Sequence, residues 1–104
     1  MKKNKKYRKK NKRNRVEYKI EVLVELEQIG ENVPKQQYAK RMELDFLPRC
    51  QMWIEFRFFM AQVASIIYIE KNHSFHIKMK KIFGDLEVMH RSIIASGFHV
   101  VDNI

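Results

Sequence analysis

PKQQYAKRMELDFLPRCQMWIEFRFFMAQV, residues 34–63, decides the fold, because the elements on either side can be read only once this stretch is assigned. Residues 35–43, KQQYAKRME, are strong helix formers without Gly or Pro, and Tyr38, Ala39 and Met42 fall on one helical face. Leu44 to Pro48 interrupts them, with Asp45 suited to a helix N-cap and Pro48 to a first turn. Cys50, Trp53, Phe56, Met60 and Val63 then recur at three- and four-residue steps, the signature of a buried helix face running to about Gln62. Two short helices joined by a tight corner are the expectation.

Upstream, Val16, Tyr18, Ile20, Val22, Val24 and Leu26 alternate like a strand, while Ile20, Leu23, Val24 and Ile29 also suit a helix. The β-branched residues favour the strand and the glutamates the helix. With a helix pair following, Gly30 reads as a helix C-cap and Pro34 as the entry to the next helix. Downstream, the period falls to two. Ile67 and Ile69, then Phe75, Ile77 and Met79 against His76, Lys78 and Lys80, predict a hairpin with Asn72 as its left-handed turn residue. Asp85 N-caps a last helix with Leu86, Met89, Ile93 and Ile94 as its stripe, Gly97 closes it, and Phe98 to Val101 suits a short strand.

Charge divides the chain. Ten of its 21 Lys and Arg residues lie within positions 1–15 (Lys2, Lys3, Lys5, Lys6, Arg8, Lys9, Lys10, Lys12, Arg13 and Arg15), with no acid among them, whereas residues 16–104 hold eleven bases and all twelve acids. Residues 1–15 have no aliphatic side chain after Met1, so they are expected to form a disordered basic arm that a polyanion orders. The body, residues 16–104, is expected to be one domain. Within it, residues 35–81 carry nine bases against Glu43, Asp45, Glu55 and Glu70, while the segments on either side are acidic.

Cys50 is the only cysteine, so no internal disulfide is expected and a reducing cytoplasm fits. With glutamates recurring after Val16, no cleavable leader is expected, and Phe58 to Ile69, the longest apolar run, is too short to span a bilayer. His73 and His76 should face opposite sides of a strand, so no metal site is expected. With three glycines and no nucleophile arrangement, neither an enzyme nor a cofactor nor a small-molecule substrate is expected.

The stretch from Lys19 through Phe56, with Ala39 inside the first motif helix, Met42 and Leu44 about the turn and Cys50 and Trp53 facing inward, resembles the winged helix-turn-helix DNA-binding family. Glu43 stands where that family's turn usually carries Gly. The resemblance implies an α+β, mainly helical protein: helix, helix-turn-helix, β-hairpin wing and C-terminal helix. It further implies a double-stranded DNA binder, a homodimer through the helix at 85–96 or at 16–29, with one motif helix in the major groove. The residues expected at DNA are Lys35, Gln36, Gln37, Lys40, Arg41, Arg49, Gln51 and Arg57 on the motif, and Lys71, Asn72, His73, His76, Lys78 and Lys80 on the wing. Lys5, Lys6, Arg8, Lys9, Lys10 and Arg13 join them from the arm. Size and the Lys/Asn/Ile-rich composition suit a plasmid or phage accessory factor acting in transcription, partition or conjugation. Two rivals stand beside it. One is an RNA-binding or ribosome-associated protein in which 16–27 and 51–59 are strands; the other is a protein-binding inhibitor whose tail only solubilises it.

Overall fold

Tyr18–Glu27 is a strand, β1, whose Ile20, Val22, Val24 and Leu26 are all buried between half-exposed Glu21, Leu23, Glu25 and Glu27. It belongs to a computed structural model that describes residues 16–27 and 35–101. Period-two burial with β-branched side chains is what a half-covered sheet selects. β2 (Gln36–Leu44) returns antiparallel, in register from Tyr18 opposite Leu44 to Leu26 opposite Gln36.

After a loop come β3 (Trp53–Glu55), β4 (Met60–Ile69), a 3-10 turn at Glu70–Asn72, β5 (Ser74–Met79), β6 (Ile82–Phe83), α1 (Leu86–Ala95) and β7 (His99–Val101). The strands form one mixed sheet in the order β3-β4-β5-β1-β2-β7, with β6 continuing alongside β1 beyond the break at Lys80 and Lys81. β5 runs parallel to β1, and the other neighbouring pairs along that order are antiparallel. A bulge at Ala64 shifts the β4–β5 register between Val63 and Ser65.

One face of the sheet is covered and the other open. Under the cover lie Val22, Val24, Leu26, Tyr38, Val63, Ile77 and Met79, met by Ile93 of α1 and by a ring cluster of Phe56, Phe59 and Phe98. Each such side chain contributes about 1.5–3 kcal/mol through burial. Asp85 caps α1 by accepting the Val88 N–H at 3.1 Å. Gly97, at φ 95°, ends it: its N–H reaches the Ile94 carbonyl and the Phe98 N–H reaches the Ile93 carbonyl, with Phe98 and Ile93 both in the core.

The mainly helical winged helix-turn-helix expected from the sequence is not formed. Residues 18–27 are the central strand of the sheet, and residues 28–34, with Gly30 and Pro34, lie outside the described residues. The expected first motif helix is β2, where in-register pairing with β1 overrides helix propensity. The second dissolves into a turn, β3 and the start of β4: Cys50, Trp53 and Met60 are exposed while Phe56 and Val63 are buried, so the three- and four-residue spacing marks no common face. The expected wing exists as the β4–β5 hairpin, but β5 is wedged between β4 and β1 and projects nowhere. Its left-handed residue is His73, at φ 51°, rather than Asn72. The basic arm, residues 1–15, lies outside the described residues.

Candidate nucleic-acid interface

On the open face, directly paired residues form rows across the strands. Ile69, Ser74, Lys19 and Glu43 make one, and Ile67, His76, Glu21 and Arg41 the next. In the second row the Glu21 carboxylate joins both neighbours: Arg41 Nε donates to Oε2 at 3.3 Å, and His76 Nε2 lies 3.6 Å from Oε1. Around them is a depression of about 550 Å3 whose rim includes Lys19, Glu43, Asn72 and Ser74. Two rows along, the Lys81 ammonium lies 3.6 Å from both Glu25 and Glu27, and those carboxylates, Glu25 foremost, hold its pKa above the ordinary lysine value.

This pairing explains the division of charge along the chain. The acids of β1 sit between the bases of β2 and β5, so what the sequence separates the sheet interleaves. Lys19, Arg41, Lys78 and Lys81 stand among Glu21, Glu25, Glu27 and Glu43, and the expected basic stripe over residues 35–81 becomes a nearly neutral face.

The residues expected at DNA scatter accordingly. Arg41 and His76 meet at Glu21, Asn72 joins them on the rim, and Lys78 stands exposed one row further. Lys71 and His73 lie at the tip of the hairpin, where the Tyr68 hydroxyl and His73 Nδ1 share a hydrogen bond of 3.1 Å. Lys40 faces the covered side, its Nζ donating to the Ser96 carbonyl at 2.7 Å above the Phe98 ring. Gln51 is a backbone corner at φ 69°, its N–H bonded to the Val63 carbonyl and its own carbonyl to Gln62 Nε2. Arg57 lies over Phe58 between β3 and β4; Arg49 and Lys80 are exposed, away from the depression; Lys35, Gln36 and Gln37 lead into and begin β2 at its opposite end. Lys5, Lys6, Arg8, Lys9, Lys10 and Arg13 lie outside the described residues.

Lys19, Glu21, Glu43 and Ser74 belong to the depression without being expected there from sequence. Lys19 and Glu21 alternate with buried neighbours, which marks them as open-face positions. Their partners, Glu43 and Ser74, are fixed only by strand register across the chain.

The depression sits at the end of the sheet where β1 begins, and residues 1–15, with their ten bases, precede that strand in sequence. α1 offers no comparable surface, since Glu87 and Arg91, 3.4 Å apart, neutralise each other on its exposed side. Among the described residues no three His, Cys, Asp or Glu side chains gather as a metal site, and no helix is long and apolar enough to cross a membrane. A scan against protein-family models finds no match to this chain, and searches of curated proteins and of solved structures find none either.

Proposed function

We propose that this chain binds RNA through phosphate contacts, with residues 1–15 supplying most of the affinity and the open sheet face beside Lys19 seating the strand. The observation that carries the reading is a run of ten bases and no acid over residues 1–15, followed in sequence by a strand, β1, that begins beside Lys19, Arg41 and His76. Each phosphate neutralised releases condensed counterions, so such a segment favours any polyanion. RNA is preferred over duplex DNA because neither α1 nor the β4–β5 hairpin is a projecting basic element that enters a major groove, whereas unpaired RNA lies against open sheet faces. The RNA-binding alternative expects strands at 16–27 and 51–59; Tyr18–Glu27 is a strand, while of the second segment only Trp53–Glu55 is, in a sheet that is mixed rather than antiparallel. The aromatic rings Trp53 and Phe83 stand at the far end of the sheet, so contacts at the depression are to phosphate and 2′-hydroxyl groups rather than stacked bases.

The test is the salt dependence of binding to a single-stranded RNA oligomer and to a DNA duplex, for the full chain and for a chain lacking residues 1–15. Removing the arm should flatten the log–log slope by about 0.7 for each phosphate that the arm neutralises on a single strand. An unchanged slope and affinity after truncation overturns the proposal. Tighter binding of duplex DNA than of RNA by the full chain restores the duplex reader.

A further inference from the structure

The charge-free run from Phe58 to Ile69 ends in β4, whose outer edge is bare along half its length. β5 takes the inner edge. Outside, β3 pairs Met60 to Gln62; the Gln51 N–H then donates to the Val63 carbonyl and the Val63 N–H to the Met52 carbonyl, both at 2.8 Å. From Ala64 to Ile69 that edge has no backbone partner among the described residues.

Successive residues of a strand address opposite edges. Because both backbone groups of Val63 face outward, its partner Met79 turns away from β4 and Lys78 turns toward it. Past the bulge, Ser65, Ile67 and Ile69 therefore bond to β5, and the N–H and C=O of Ile66 and Tyr68 point out. Bare edges are ordinarily guarded by charge, proline or a covering segment. The other side of the sheet is: where β7 leaves β2 uncovered stand Lys40, Arg41 and Glu43. Among the described residues β4 has none of these, only the bulge at Ala64 where the bare stretch begins, and Ile67 and Tyr68 are 52% and 51% exposed.

We infer that a second copy of this chain completes the edge, β4 pairing antiparallel with its twin about a two-fold axis at Ile67. In that register Ile67 faces Ile67 of the second copy, Ile66 faces Tyr68 and Ser65 faces Ile69. Ile66 and Tyr68 then form two close pairs that satisfy all four outward N–H and C=O groups, and apolar side chains meet on both faces. Moving the axis to Ile66 or Tyr68 leaves only one such self-pair and drives the turn or β3 of one copy toward the other. Charge allows the match: the paired strands carry none, and residues 16–104 sum to −1 (eleven bases, twelve acids), so identical bodies meet without strong repulsion. β1, expected from sequence as a dimer surface, is occupied on both edges. The joint sheet aligns the two Arg41–Glu21–His76 rows end to end on one face, with the two β1 strands about 24 Å apart at ordinary strand spacing.

This inference is independent of RNA binding, and the test keeps them apart. By sedimentation equilibrium over a dilution series, the full chain and the chain lacking residues 1–15 should both reach twice the single-chain mass. Ile67→Lys should halve that mass with circular dichroism unchanged. In a Cys50→Ser background, Ile67→Cys should form an intermolecular disulfide on mild oxidation, since opposed residues at a wide pair lie about 4.5 Å apart; this readout stands even if the lysine variant fails to fold. A wild-type chain that sediments as a single copy overturns the inference. So does a dimer in which Ile67→Lys changes nothing and Ile67→Cys does not cross-link.

Discussion

The Glu21 carboxylate accepts the Nε–H of Arg41 at 3.3 Å from the directly paired position on β2, and so occupies the arginine that faces the depression. Arg41 is almost fully exposed, so the pair contributes no more than ~0.5 kcal/mol to stability. Its larger effect is on ligands: a carboxylate between Arg41 and His76 repels phosphate and holds the guanidinium away from it. Glu21→Gln should therefore leave the melting temperature nearly unchanged and tighten RNA binding by roughly threefold, the equivalent of ~0.7 kcal/mol. Titration of labelled RNA at fixed salt reads this, and weaker binding by the variant contradicts the seat proposed for the strand.

Lys40 makes the opposite prediction. Its ammonium donates to the Ser96 carbonyl at 2.7 Å and lies 5.8 Å from the Phe98 ring centre, tying β2 to the end of α1. Lys40→Met keeps the stem and removes that bond, which should cost about 1–2 kcal/mol in urea unfolding. RNA affinity at fixed salt should be unchanged, although sequence alone places Lys40 among the interface bases. A drop in affinity without a drop in stability returns Lys40 to the interface.

Gly97 closes the same corner at φ 95°, and a Cβ built there lies 3.2 Å from Lys40 Nζ. Gly97→Ala should destabilise by about 1–2 kcal/mol through the left-handed backbone alone. Combining it with Lys40→Ala, which removes the whole side chain that such a Cβ would crowd, should relieve the crowding and leave the backbone cost, so the two effects fall short of additive. Full additivity by chemical denaturation contradicts a shared corner.

Alkaline pH should unfold the protein for a definable reason. Tyr38 is buried in the core, its hydroxyl sharing a 2.8 Å hydrogen bond with His90 Nδ1, and burial raises its pKa above the ordinary value of 10.0. The folded state thus holds this proton more tightly than the unfolded chain does. The stabilisation is complete below the unfolded pKa and disappears as pH climbs through the raised folded value. Lys81, held up by Glu25 and Glu27, acts in the same direction. Tyr38→Phe should lower stability at neutral pH by about 1 kcal/mol and flatten the alkaline limb of the stability profile. An unaltered limb assigns alkaline sensitivity to other groups.

Parts of this architecture are legible in the residues. The β4–β5 hairpin follows from Ile67 and Ile69 and the alternation after Phe75, and α1 from Asp85 and Gly97, because turn and cap chemistry is local. β1 is legible as a strand in Ile20, Val22, Val24 and Leu26, but the helix-like stretch that follows pulls its reading the other way. β2 is the element that misleads: Tyr38, Lys40, Met42 and Leu44 share the covered side, and Lys40 breaks the apolar row because its charge escapes to Ser96. Ala39, buried on the open side, completes the appearance of a helical face. Trp53 misleads differently, since an aromatic at helical spacing reads as core yet stands 60% exposed on β3.

The candidate site is half legible. Arg41, Asn72 and His76 stand out in the sequence, but as parts of two separate elements; their convergence depends on β1 lying between β2 and β5, with Lys19 opposite both Glu43 and Ser74. No local pattern encodes a parallel pairing of residues 19–23 with 74–78.

That same arrangement governs how the molecule comes to fold. As the chain leaves the ribosome, β1 and β2 can zip together at once, but the other flank of β1 must wait for Ser74–Met79, and the partner of Lys19 lies 55 positions away (74 minus 19). Until then the central strand of the sheet displays an unclosed ladder, a target for strays and for helper proteins. Throughout that interval residues 1–15, which hold ten of the 21 lysines and arginines, have already been synthesised.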